Sequence, residues 1–170
     1  MSLNDVKIGG AAPKEVNVII EIPRGSGNKY ELDKDTGAIF LDRVQPTNLK
    51  QPYDYGYIPQ TLGDDNDPLD ALIVIDEPLY PGVVIPSRVV GVLYMVDSDE
   101  QDEKIVCVAA DDMHYEHVVE LKDLGKHFKD KVAHYFEHYK DLQHKKVEIS
   151  GWGERDEALE IIEKYRLDKK

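Results

Sequence analysis

The stretch SRVVGVLYMVDSDEQDEKIVCVA, residues 87–109, decides the fold class. Its arms, Ser87 to Met95 and Ile105 to Ala109, are apolar, rich in β-branched residues and of strand length. Between them the acidic segment Asp97 to Lys104 reads as an exposed hairpin loop, with Lys104 as a surface charge. Working outward, Val16 to Ile22 is another β-branched run. Lys29 to Asp33 and Ala38 to Arg43 form a hairpin across Lys34-Asp35-Thr36-Gly37. Ala71 to Ile75 and Val147 to Ser150 are further strands, and prolines at positions 46, 52, 59, 68, 78, 81 and 86 break the segments between. Helical periodicity comes only late. Phe128, Val132, Tyr135 or Phe136, and Tyr139 make one apolar stripe, and Leu159, Ile162 and Tyr165 make another within Asp156 to Tyr165. Strands first and helices last predict an α+β, mainly β fold, with the helices packed on a small closed or strongly curved sheet. With 170 residues and no repeat or long linker, residues 1–170 are expected to form a single domain.

Charge narrows the function. Thirty-four acidic residues against 21 basic ones repel nucleic acid and anionic membranes, so neither is expected as a partner. The same field repels a phosphate substrate unless cations intervene. The lone Cys107 sits in an apolar run and reads as a small buried hydrophobe. The first residues lack the basic and apolar parts of a leader, and no apolar run is long enough to cross a bilayer; a cytoplasmic protein is expected.

The densest signal is Asp64-Asp65-Asn66-Asp67-Pro68-Leu69-Asp70. Pro68 disfavours the helical conformation at Asp67, so the chain should be extended there, with residues 65 and 67 on one side. Asp70 follows at the mouth of the strand Ala71 to Ile75. Carboxylates this close repel one another unless a cation lies among them, and oxygen donors favour magnesium, manganese or calcium. A solvated acidic turn is the other reading. An EF-hand loop is excluded, because its glycine and later glutamate are out of register. Glu21 interrupts an apolar strand and needs a partner, for which Arg24 is at hand. Lys29, Glu31 and Arg43 can be cross-strand ion pairs on a wet sheet face. Tyr53, Tyr55 and Tyr57 alternate around Gly56 as packing residues whose phenols can also donate to phosphate.

In chain order, Ile20-Glu21-Ile22-Pro23, Lys29-Tyr30-Glu31, Asp42-Arg43, Tyr55-Gly56-Tyr57-Ile58-Pro59, Asp65-Asn66-Asp67-Pro68-Leu69-Asp70-Ala71 and Gly91-Val92-Leu93 are followed by the spaced Asp97, Asp102 and Lys104. Phe136-Glu137-His138-Tyr139-Lys140-Asp141-Leu142 and Gly151-Trp152 close the series. Together these resemble the family I soluble inorganic pyrophosphatases over roughly Val16 to Tyr165. The resemblance implies a five-stranded closed, OB-like barrel with two C-terminal helices against it, and a homohexamer. It implies hydrolysis of pyrophosphate to two phosphates, with Mg2+ as cofactor and Mn2+ or another divalent ion as a substitute. Asp65, Asp70 and Asp102 would hold a first metal, Asp70 being shared with a second. Asp97 would join Asp102 on a further metal, Glu31 would help with one arriving with substrate, and Glu21 would act near the metals. Lys29, Arg43, Tyr139 and Lys140 would grip the phosphates, assisted by Tyr55 and Lys104, and Asp67 would take the proton of the attacking water. The chain departs from the family at Gln51, where many members carry tyrosine, and at Ser98, where some carry an acid.

Two other readings compete. His134-Tyr135-Phe136-Glu137-His138 fits the pattern of inverted zinc peptidases, but a zinc site needs a third ligand and neither His114 nor His117 lies at a trusted spacing. A cation- or phosphate-binding protein without turnover could carry the same carboxylates, although an intact set of Lys29, Arg43, Asp67 and Lys140 argues for catalysis.

Overall fold

The structure is a computed structural model, and it describes residues 2–168. Eight strands and two α-helices follow one another: β1 (Glu15–Ile22), β2 (Asn28–Leu32), β3 (Ile39–Val44), β4 (Asp54–Tyr57), β5 (Asp70–Val74), β6 (Val84–Asp97), β7 (Glu100–Ala109), α1 (Gly125–His138), β8 (Val147–Glu154) and α2 (Arg155–Tyr165). Five strands close a ring in the order β1-β4-β5-β7-β6, with β6 returning to β1. Only β5 and β7 pair in parallel; the other ring pairings are antiparallel. Counted along the chain the ring strands run first, second, third, fifth, fourth, the closed OB-like barrel that was expected. With 14 residues, β6 is long enough to pair with β1 through its first part and with β8 through its second. β2 and β3 form a separate hairpin beside β1.

Two cores explain why β5, β6 and β7 read as unbroken apolar runs. Alternate residues of a strand point to opposite faces, and here both faces are covered. Ala71 and Ile73 join Ile105 and Cys107 in one core, which α2 enters through Ala158 and Ile162. Leu72 and Val74 join Val106 and Val108 in the other, under Phe128, Val132, Tyr135 and Phe136 of α1. Each such large side chain withdrawn from water contributes about 1.5–3 kcal/mol before conformational entropy is counted. Cys107 is fully buried, as expected, and its thiol is pushed up by burial.

β4 was not anticipated as a strand. Its alternating Tyr55 and Tyr57 flank Gly56, where an added Cβ would lie 1.9 Å from the Ile19 carbonyl oxygen, so β1 and β4 approach this closely only with glycine there. The acidic segment is also corrected. Only Ser98 and Asp99 turn, at φ 52° and 71°, which is the left-handed pair of a two-residue hairpin. β6 and β7 therefore run on to Asp97 and Glu100, which puts Asp97 on β6 and Glu100, Asp102 and Glu103 on β7 rather than in a loop. Ahead of β5, the turn reading of the acidic segment holds rather than the extended one: Asn66 is left-handed at φ 66°, and its N–H donates to the Gly63 carbonyl at 3.1 Å.

Candidate active site

The face under α1 carries three parallel rows. Leu72 leads back to Asp70 on β5, Val106 leads back through Lys104 to Asp102 on β7, and Leu93 and Met95 lead on to Asp97 on β6. The period of two keeps each row on one side, so the apolar face ends at one rim in charged residues. Parallel pairing sets Asp70 opposite Lys104, while antiparallel pairing sets Asp102 opposite Met95. Glu21 joins them by the same parity: Val16, Val18 and Ile20 face the other core, and Glu21 faces the rim.

Lys104, expected at the surface, is only 4% exposed. Its Nζ lies 2.6 Å from Asp70 Oδ2 and 2.6 Å from Asp102 Oδ1. Burial alone would lower its pKa, but the two carboxylates and Tyr55 outweigh that and hold it well above the usual lysine range. Burial pushes Asp102 up, and Asp70 adds to this against the pull of Lys104. One ammonium thus faces two carboxylates and leaves negative charge uncompensated in a low-dielectric setting. Glu21 is buried and Arg24 is not its partner. Its Oε1 accepts from the Leu32 N–H at 2.8 Å, while Arg24 donates to the carbonyls of Ile75 and Asp76. Burial, with Asp70 and Glu31 adding repulsion, raises Glu21 from 4.5 to about 7 despite that hydrogen bond.

The turn before β5 brings Asp65 and Asp67 to the same rim. Asp65 Oδ1 accepts the Asp67 N–H at 3.0 Å, and Lys34, from the β2–β3 turn, reaches Asp67 Oδ1 at 2.9 Å. On the hairpin, Lys29 stands opposite Arg43 and pairs with Asp42 at 3.0 Å and Glu31 at 3.2 Å. Burial would lower Lys29, yet these two acids raise it. At the C-terminal end of α1, Lys140 pairs with Asp97, and the Tyr139 hydroxyl donates to Asp97 Oδ2 at 3.3 Å. Burial would raise Asp97, but Lys140 and Ser98 hold it below the usual carboxylate range. Burial keeps the Tyr139 and Tyr55 phenols protonated, hence able to donate.

The structure therefore gathers every residue that the family resemblance assigned to the site around two adjoining clefts. One, of about 320 Å³, is lined by Glu21, Glu31, Asp65, Asp67, Asp70 and Asp102. The other, of about 190 Å³, is lined by Arg43, Asp97, Lys104, Tyr139 and Lys140; Lys29, Tyr55, Asp70 and Asp102 border both. Six carboxylates line the first cleft, and four cations, Lys29, Arg43, Lys104 and Lys140, line the second. Among the described residues no three acids or histidines converge at ligand distance from a common point. Magnesium does not require it, since it keeps several waters and takes one or two carboxylates directly. The donor set fits a hard divalent cation, with Asp65, Asp70 and Asp102 all lining the larger cleft. Sequence reading gave no role to Lys34, to Asp42 or to Gln45; the ion pairs of the first two depend on the hairpin's placement.

His134 and His138 share a helical face with rings 4.9 Å apart, both exposed, and His138 Nδ1 contacts Asp141 at 2.9 Å. Neither lines the two clefts.

A family model, inorganic pyrophosphatase, matches residues 18–170. The inorganic pyrophosphatase of Synechocystis is 48% identical over 155 residues, covering 90% of this chain and 92% of that protein. That of Sulfolobus acidocaldarius is 47% identical over 158 residues, covering 91% of each. The crystal structure of inorganic pyrophosphatase from Thermus thermophilus superposes with a TM-score of 0.92 at 45% identity, covering 96% of this chain and 95% of that one.

Proposed function

Because the chain belongs to the inorganic pyrophosphatase family and hydrolyses inorganic pyrophosphate, we propose that the two clefts form one active site, with the carboxylate wall holding Mg2+ and the cationic wall holding the phosphates. The family depends on a divalent metal; the choice of magnesium rests on the all-oxygen donor set. Asp65, Asp70 and Asp102 hold the first ion, with Asp70 shared by a second. Asp97 and Glu31 serve ions that accompany substrate, and Glu21 acts beside them. When bound, the ions neutralise substrate oxygens and make water a better nucleophile at neutral pH.

The remaining work falls to side chains of this chain. Lys29, Arg43 and Lys140 place fixed positive charge where the departing phosphate gains its own, and Tyr55 and Tyr139 donate hydrogen bonds to it. Lys104 orients Asp70 and Asp102 and lends a donor at the border of the two clefts. Asp67, at the mouth of the larger cleft, accepts the proton of the attacking water. We propose further that residues 1–170 make one domain, that the protein is cytoplasmic, and that it assembles as a homohexamer.

The observation that carries this reading is a cleft lined by six carboxylates that adjoins one lined by four cations, the two sharing Asp70 and Asp102. Its test is phosphate release from pyrophosphate by the purified chain, with Mg2+ and then with excess chelator. Release that chelator abolishes and Lys140→Met weakens supports it. Release that survives complete chelation overturns the metal assignment.

A further inference from the structure

Each of two amide side chains in the cationic cleft has one buried polar atom without a partner. Gln51 is 3% exposed, and both its Nε2 and the Oε1 of Gln45 are shut from solvent with no hydrogen-bonding partner among the described residues. Both side chains line the cleft that holds Arg43, Tyr139 and Lys140. Their backbones are pinned to one loop. Gln45 N donates to the Gly27 carbonyl at 2.9 Å, Gln51 N donates to the Ser26 carbonyl at 3.0 Å, and the Gln51 carbonyl accepts from Gly25 N at 2.8 Å. A buried donor and a buried acceptor left unpaired each carry a cost, and they are kept where a ligand completes them.

We propose that Gln51 and Gln45 form a subsite for the departing phosphate, with Gln51 Nε2 donating to a phosphate oxygen and Gln45 Oε1 accepting from its P–O–H. This rests on the assignment of the cationic cleft to the phosphates. In the reaction the water oxygen bonds to one phosphorus, the bond from that same phosphorus to the bridging oxygen breaks, and the other phosphate departs with the bridging oxygen. The two protons of water end one on each product, giving two hydrogen phosphate ions. The unprotonated substrate has no proton for Gln45; the product does. The pair is thus matched to the leaving group after proton transfer, a difference from the substrate that the cations of the cleft do not read.

The test compares Gln51→Leu, Gln45→Leu and Lys140→Met by steady-state kinetics with magnesium pyrophosphate, product inhibition by inorganic phosphate, and thermal melting. Replacing an unpaired buried amide by leucine is neutral or stabilising, so both Gln variants should melt no lower than the parent. Gln51→Leu should raise KM and the phosphate inhibition constant together by about tenfold or more, the loss of one hydrogen bond to an anion. Gln45→Leu should raise the phosphate inhibition constant by about fivefold while moving KM much less. If both Gln variants fold and keep the parent's constants while Lys140→Met loses affinity, this subsite is wrong and the cleft assignment stands. If Lys140→Met is also unchanged, the cleft assignment itself falls.

Discussion

Lys104→Met is the perturbation that most directly tests how this site is built. The ammonium of Lys104 touches Asp70 and Asp102 at 2.6 Å each and is almost wholly buried. Met preserves much of the stem's packing, which lies near the rings of Tyr55 and Phe136, but removes the charge. Two carboxylates facing one ammonium become two facing none. Breaking a buried pair by removing one partner costs about 3–5 kcal/mol. For a chain of this length that corresponds to a drop of roughly 6–20 °C in Tm. If the same carboxylates bind magnesium, the ion supplies the lost positive charge, and saturating Mg2+ should recover at least about half of that deficit. Thermal melts of parent and variant, each in chelator and in excess Mg2+, measure both numbers. A deficit that is the same with and without Mg2+ would refute the view that cation and ammonium serve one carboxylate pair. Pyrophosphatase activity of the variant should fall too, since Lys104 borders both clefts.

Other outcomes follow from neighbouring residues. Asp67→Asn should cut kcat by about 100-fold or more while Mg2+ binding persists, because Asp67 is cast as proton acceptor; isothermal titration beside turnover checks the pair, and unchanged kcat removes Asp67 from the role. Asp70→Asn should shift the Mg2+ dependence of activity to higher concentration, and an unaltered titration curve would count against a shared ligand. Glu21→Gln should stabilise the metal-free protein at pH 8 but not at pH 4. Glu21 has a folded-state pKa of about 7 against 4.5 when unfolded. The folded state therefore binds its proton more tightly, and stability is lost as pH rises between those values. The gap sets a ceiling of about 3 kcal/mol for the gain above pH 7. Equal melting differences at the two pH values, measured in chelator, would contradict it.

Much of this was already legible along the chain. Period-two alternation and apolar runs located seven of the strands, and three- and four-residue spacing located both helices, because these patterns depend on neighbours a few residues apart. Of the acids, Asp65, Asp67, Asp70 and Glu21 stood out from local pattern alone, whereas Asp97, Asp102 and the cations gained a role only through the family resemblance. What the sequence could not decide is who meets whom. Lys104 read as a surface charge, because its burial depends on β5 lying parallel to β7, which brings Asp70 beside it across 34 positions. Glu21 read as a partner for Arg24, a short-range guess, whereas the hairpin folded against β1 offers it the Leu32 N–H. For the acidic segment the constraint of Pro68 favoured extension at Asp67 while the residue types favoured a turn, and the Gly63 carbonyl and the Asp65 carboxylate, accepting from Asn66 and Asp67, decided for the turn. Strand periodicity by itself placed Glu21 out of step with the apolar residues beside it and Asp70 at the mouth of a strand. Only closure of the barrel decided which acids and cations share a cleft, because contact between distant strands is set by register and packing over the whole ring rather than by local preference.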